Sequence, residues 1–100
     1  MDDRQILTLM VPAEIRDDVV DGLSVCEGVS GFNMTTIAGY SKEHSQYDLR
    51  EQVEGYRQFF KFEVLHSKLQ QADLLDALRP VCSSAGIRYW IVPVVEQGHF

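Results

Sequence analysis

The residues best suited to chemistry lie in one long polar segment, residues 39–56, between two apolar stretches. Glu43 and His44 are adjacent near its start, and Asp48 and Glu51 follow. Imidazole and carboxylate groups together suit Zn, Ni or Cu ions. No HxH or HxxxH pair fixes a ligand geometry, so a solvated histidine is the stronger interpretation. A divalent metal site at Glu43 and His44 is therefore the weaker of two hypotheses for this segment.

The same segment carries groups that suit a binding loop. Lys42, Arg50 and Arg57 could hold an anionic ligand or an acidic partner, although the acidic residues between them are equally typical of a solvated surface. Leu49 and Val53 have the four-residue spacing of a short helix that forms on a partner, or of a loop that packs on itself. Long loops in small domains are usually functional, so we predict a projecting loop over residues 41–55 that binds a partner or ligand. The candidate binding residues are Tyr40, Ser41, Lys42, Glu43, His44, Tyr47, Leu49, Arg50, Val53 and Arg57.

Several classes of function are disfavoured. The chain has no GxSxG, phosphate loop, HExxH or pair of carboxylates in an apolar setting, so we predict that it is not an enzyme. Its formal net charge of −6 disfavours nucleic acid and anionic membranes, because both select clustered Lys and Arg. Cys26 and Cys82 lack metal-ligand spacing. The acidic start lacks signal-peptide features and no run reaches membrane length, so we expect a cytoplasmic protein without direct membrane insertion.

Hydrophobic periodicity predicts six elements and one domain over residues 1–100. In chain order the elements are strand 6–11, helix 13–27, strand 32–40, strand 57–66, helix 68–85 and strand 87–95. This order predicts an α+β ferredoxin-like βαββαβ sandwich, with a four-stranded antiparallel sheet and both helices on one face. The first and third strands are expected at its centre, and the long loop joins the second strand to the third.

Local signals set expectations for the two helices. The first should end at Gly28 in the left-handed conformation. Ser67 and Gln70 have the spacing of a capping box for the second, and Pro80 should kink or break it. Gly86 should end it. The predicted inner stripe of the second helix is Leu69, Ala72, Leu75, Leu78 and Cys82.

The sheet face without helices is predicted to be partly apolar. We expect it to carry Ile6, Met10, Phe59, Tyr89 and Ile91 among polar residues. A face of this composition is too apolar to remain in water, so we predict that it packs against other copies of the chain.

Three stretches carry a family resemblance: GFNMTTIAGY at 31–40, FFKFEV at 59–64 and YWIVPVVE at 89–96. Together with the element order they resemble the PII-like (nitrogen regulatory protein-like) signalling superfamily, most closely a small PII-like family linked to heavy-metal efflux systems. The resemblance covers the whole chain. It implies a non-catalytic regulatory homotrimer with inward-facing sheets, outward loops that contact a transport-associated partner, and small-ligand sites in the clefts between subunits.

One segment departs from the PII pattern. PII proteins carry a glycine-rich phosphate-binding loop before the last strand, whereas here residues 83–88, SSAGIR, make only a short turn. Such a turn offers no evident cradle of backbone N–H groups, so neither ATP nor another cofactor is expected. A CutA-like copper- or zinc-binding trimer is the alternative function, and a dimeric monooxygenase-like enzyme is a weaker one.

Overall fold

The computed structural model describes residues 3–40 and 57–100. Within these residues the chain forms four strands, two α-helices and three short 3-10 turns. The strands are β1 Arg4–Pro12, β2 Asn33–Gly39, β3 Arg57–Ser67 and β4 Arg88–Pro93. The helices are α1 Arg16–Ser24 and α2 Gln71–Cys82, and the 3-10 turns are Ala13–Ile15, Lys68–Gln70 and Ser83–Ala85.

The four strands form one antiparallel sheet in the order β2-β3-β1-β4. The first and third strands are therefore central, as predicted, and the α+β ferredoxin-like architecture is confirmed. Leu7 of β1 lies opposite Val64 of β3 and Ile91 of β4, which fixes the register on both sides of the central strand. Pro93 ends the edge strand β4, where its missing N–H removes no bond from the interior of the sheet.

The core lies between one face of the sheet and the two helices. Alternate residues of β1 and β3 point into it, and α1 and α2 each contribute two buried side chains. The buried hydrophobic residues are Leu7, Leu9, Val11, Val19, Leu23, Phe60, Phe62, Val64, Leu74 and Leu78. Burying a side chain of this size contributes about 1.5–3 kcal/mol, so these residues dominate the stability of the domain.

The predicted cap and stop signals of the second helix are confirmed. Ser67 and Gln70 form a capping box, in which the Ser67 backbone N–H donates to Gln70 Oε1 over 3.1 Å. Gly86 has a φ of 61°, in the left-handed region that glycine adopts without a steric penalty.

The prediction that the first helix ends at a left-handed Gly28 is wrong. Helix α1 ends at Ser24, whose hydroxyl donates to the Val20 carbonyl over 2.7 Å, and Gly28 does not have a positive φ. A Cβ on Gly28 would lie 3.2 Å from the Gln70 side chain. Glycine at this position therefore allows close packing against the start of the second helix rather than a left-handed cap.

The inner stripe predicted for the second helix is partly wrong. Leu69 is 95% exposed and Ala72 is exposed, whereas Leu74 and Leu78 are buried. Leu69 lies in the 3-10 turn Lys68–Gln70 rather than in α2. Within α2 the buried side chains have the four-residue spacing of Leu74 and Leu78, which leaves Ala72 on another side of the helix.

Of the kink or break predicted at Pro80, the break is wrong, because α2 continues through Pro80 to Cys82. Pro80 is exposed, so the backbone hydrogen bond that it removes lies on the solvent side of the helix, where water can replace it.

The corrected helix face can be tested by mutation. Leu74→Ala should lower the free energy of unfolding by about 2–5 kcal/mol, because it removes a buried side chain and leaves a cavity. The matched change Leu69→Ala, at a 95% exposed position, should have little effect. Urea unfolding followed by circular dichroism measures both. A loss at Leu69 equal to that at Leu74 would contradict the observed face.

Candidate partner-binding site

The predicted binding loop begins and ends at one end of the sheet. Gly39, the last residue of β2, lies opposite Arg57, the first residue of β3. Tyr40 follows Gly39 and is 76% exposed. The other predicted binding residues lie outside the described residues: Ser41, Lys42, Glu43, His44, Tyr47, Leu49, Arg50 and Val53. The metal hypothesis for Glu43 and His44 therefore stays a prediction.

Arg57, at the base of this loop, contacts Phe59 and Glu14. Its guanidinium carbon lies 5.4 Å from the centre of the Phe59 ring, and its Nη2 lies 3.8 Å from Glu14 Oε2. Both charged groups are partly exposed, so the ion pair contributes at most about 1 kcal/mol. The stacking on Phe59 orients the guanidinium along the sheet.

Phe59 also explains the glycine at the end of β2. A Cβ on Gly39 would lie only 2.5 Å from two carbons of the Phe59 ring, a distance that packed side chains do not tolerate. The absence of a side chain thus lets the aromatic ring lie directly against the backbone of the neighbouring strand. Gly39, Phe59 and Arg57 form a packed base under the loop.

The sheet face opposite the helices is here called the open face. In an antiparallel sheet, directly opposed residues point to the same side, so the strand register assigns its members. They include Ile6, Thr8, Met10, Asn33, Thr35, Ile37, Phe59, Lys61, Glu63, Leu65, Arg88, Trp90 and Val92. At one end Ile6 lies between Leu65 and Val92, which makes an apolar row across three strands.

The sequence prediction for the open face is right for β1 and β3 but wrong for β4. Tyr89 lies opposite Leu9 and Ile91 lies opposite Leu7, so both point toward the helices. Trp90 and Val92 point to the open face instead and are 40% and 43% exposed. Both alternate sets of β4 are apolar, so only the register with β1 distinguishes them.

Charged groups interrupt the apolar surface of the open face. Lys61 and Glu63 are two residues apart on β3 and therefore lie on the same face. On β4, the guanidinium carbon of Arg88 lies 5.7 Å from the centre of the Trp90 ring. Charges within an apolar contact surface favour a partner with complementary charge, so they add specificity to any interface formed here.

A small cavity of about 150 Å³ lies between α2 and the sheet. Its lining includes Leu9, Leu78, Cys82 and Tyr89. Burial raises the pKa of the Cys82 thiol above its ordinary value, so the neutral thiol rather than the nucleophilic thiolate is favoured. The cavity therefore offers an apolar niche and no activated nucleophile.

The turn between α2 and β4 is compact. Residues Ser83–Ala85 form a single 3-10 turn that Gly86 closes, with the Gly86 N–H donating to the Ser83 carbonyl over 3.4 Å. In residues 3–40 and 57–100, no group of three or more His, Cys, Asp or Glu residues is placed to hold a metal ion. None of the helices in this part of the chain is both long and apolar enough to cross a membrane.

Comparison with known proteins places the chain in a family. The profile of the protein of unknown function DUF3240 matches residues 1–100. The chain belongs to the DUF3240 family. A DUF3240 family protein from Shewanella baltica OS155, solved by crystallography, is 41% identical to it, with a TM-score of 0.82 over 100% of this chain and 99% of that chain. No functionally curated protein matches this DUF3240 sequence.

Two more distant structures share the fold. CPII, a nitrogen regulatory PII-like protein from Thiomonas intermedia K12 solved with ADP, AMP and bicarbonate, has a TM-score of 0.71 at 12% identity, over 97% of both chains. A Bacillus cereus protein related to NIF3 has a TM-score of 0.73 at 11% identity, over 98% of this chain and 27% of that one. The likeness to CPII confirms the PII-like fold of this DUF3240 protein.

The packed base of the loop predicts a sharp difference between two glycines. Gly39→Ala should destabilise the DUF3240 protein by about 1–3 kcal/mol, because the new methyl group overlaps the Phe59 ring. Gly31→Ala is the matched control, because a Cβ there meets no atom within 4 Å. Urea unfolding of both variants measures the difference. Equal stability of the two variants would show that the ring does not lie against Gly39.

Proposed function

We propose that this DUF3240 protein is a non-catalytic PII-like regulatory adaptor that acts in the cytoplasm as a homotrimer. The open face carries the proposal. Trp90 and Val92 are 40% and 43% exposed there, beside the apolar pair Ile6 and Leu65. A contiguous apolar surface on a small domain favours burial against a partner, and other copies of the same chain are always available to provide one.

The chemistry of the open face suits assembly of identical chains. Lys61 and Glu63 have opposite charges on one strand, so two copies can pair the lysine of one with the glutamate of the other. Burial of this face also adds apolar contact area to a chain of only 100 residues, which has a small core of its own. The PII-like resemblance implies three copies, with their sheets facing inward.

In such a trimer the loop remains available to a partner. It leaves the sheet between Gly39 and Arg57, at one end of the strands, so covering the open face does not require covering residues 41–55. The exposed Tyr40 and the stacked Arg57 are the described residues closest to it in sequence. We propose that this loop binds a membrane transport component, and the resemblance points to one of a heavy-metal efflux system.

Nucleotide is not the ligand that we propose for this protein. CPII was solved with ADP and AMP bound. Tight binding of a nucleotide by this chain would need backbone N–H groups directed at a phosphate. The turn at Ser83–Ala85 is a single closed 3-10 turn with one following glycine. We therefore expect the adaptor to bind neither ADP nor ATP tightly. A divalent ion at Glu43 and His44 remains the alternative.

The oligomer proposal predicts the effect of one charge on the open face. Val92→Asp should reduce the mass in solution from three chains to one, because an unpaired carboxylate in an apolar interface costs several kcal/mol. Multi-angle light scattering measures the mass, and circular dichroism checks that the monomer is folded. Val25→Asp is the matched control, because Val25 is 80% exposed at the end of α1 and away from the sheet. A Val92→Asp variant that keeps the wild-type mass would contradict the assignment of the interface.

The adaptor proposal predicts that the loop, and not the sheet, selects the partner. Deletion of residues 46–53 should leave the trimer mass unchanged and remove binding to detergent-solubilised efflux-pump components. Surface plasmon resonance with immobilised trimer measures this binding, and a change of the loop-distant residue Leu69 to Ala serves as control. Undiminished binding after the deletion would exclude this role for the loop.

A further inference from the structure

The cavity between α2 and the sheet lies on the side away from the open face. One of its walls contains the cross-strand pair of Leu9 in β1 and Tyr89 in β4. The facing wall is a stripe of α2, in which Leu75, Leu78 and Cys82 recur at spacings of three and four and so share one side of the helix. Because Leu9 and Leu78 are buried while Tyr89 is exposed, the cavity reaches from the core to the surface.

The interior of this cavity is apolar and uncharged. Leucine and isoleucine side chains form much of its lining, and burial raises the pKa of the Cys82 thiol, so the sulfur stays neutral. The Ser83 hydroxyl already donates to the Arg79 carbonyl over 2.7 Å. A cavity of about 150 Å³ with an apolar lining is large enough for one benzene ring. The part of a ligand that fits the interior is therefore an apolar group of ring size.

The mouth of the cavity carries a positive charge. Among the described residues that line it, Arg79 is the only one with a charged side chain. Arg79 Nη2 lies 3.5 Å from Asp76 Oδ1, but both side chains are largely exposed, so this ion pair is weak. The guanidinium has further N–H donors, and the hydroxyl of the exposed Tyr89 is another donor in the same lining. A chain with a net charge of −6 thus presents donors for an anion beside an apolar cavity.

We propose that this cavity binds a small apolar monocarboxylate of the size of benzoate. Its apolar group lies between Leu9 and Leu78, and its carboxylate accepts hydrogen bonds from Arg79 and Tyr89. A carboxylate is preferred to a neutral polar group, because a hydrogen bond between charged partners is the stronger one. The site lies within one subunit, so it depends neither on the proposed trimer nor on the loop.

Benzoate is the probe, and nuclear magnetic resonance of the ¹⁵N-labelled full chain measures its binding. Benzoate should shift the backbone amides of residues 75–82 and 87–89 in a saturable way. Acetate has the charge without the ring, and benzyl alcohol has the ring without the charge, so each should bind at least about tenfold more weakly. The absence of a saturable shift at these amides would overturn the proposal. Binding of acetate or benzyl alcohol as tight as that of benzoate would also overturn it.

Two variants test the role of the charge at the mouth. Arg79→Met keeps the apolar part of the side chain, so it should weaken benzoate binding about tenfold and leave benzyl alcohol binding unchanged. Arg16→Met is the matched control, because Arg16 lies in α1 and does not line the cavity. Asp76→Asn removes the competing carboxylate and should strengthen benzoate binding. Wild-type affinity for benzoate in Arg79→Met would contradict the site.

The thiol of Cys82 provides a second readout of an occupied cavity. Iodoacetamide modifies free thiols, and Cys26, which is free and does not line the cavity, is the internal control. Benzoate at ten times its Kd should slow the modification of Cys82 about tenfold and leave that of Cys26 unchanged. Mass spectrometry of the digested protein measures both rates. Equal slowing at the two cysteines, or slowing at neither, would contradict binding beside Cys82.

Discussion

The structure depends on a central strand, β1, that carries apolar side chains on both faces of the sheet. On one face Leu7 and Phe62 are fully buried beneath the helices. On the other, Ile6 lies between Leu65 and Val92, and neither α-helix in residues 3–40 and 57–100 packs on that side. Two helices can cover only one face of a four-stranded sheet, so the hydrophobic effect that folds the domain also favours its assembly. The proposed oligomer would thus follow from the same pattern as the core.

This constraint also separates the proposed activities in space. In the proposed assembly the open face provides the subunit contact, and the end of the sheet at Gly39 and Arg57 carries the loop. Phe59 belongs to both the open face and the loop base, because its ring packs on Gly39. A second subunit that packs on the open face would therefore contact Phe59, whose ring also packs against Gly39 at the end of β2.

Much of the fold could be predicted because several signals were unambiguous. In β3 every second residue, Phe60, Phe62 and Val64, is apolar, whereas the residues between them include charged side chains. This pattern identifies both the strand and its buried face. The capping box at Ser67 and the stop at Gly86 are local and need no tertiary information.

The remaining features depended on geometry that the sequence does not carry. Strand β4 has apolar residues on both of its faces, so the sequence does not show which face is buried. Only its pairing with β1 shows that Trp90 points to the open face. Leu69 lies in the 3-10 turn before α2, outside the helix that the periodicity predicted, and it is exposed to solvent. Gln5 and His66 are distant in sequence, and strand pairing alone places them opposite each other in the sheet.

The fluorescence of Trp90 tests directly whether the open face is the subunit interface, because Trp90 is the only tryptophan in the sequence and it lies on that face. In the isolated chain its side chain is 40% exposed. If the open face is the subunit interface, Trp90 fluorescence in the intact assembly will be blue-shifted and protected from acrylamide, and dilution to the monomer will remove that protection. A Trp90 that acrylamide quenches equally well at high and low protein concentration would contradict the account, because the open face would then face water in every state.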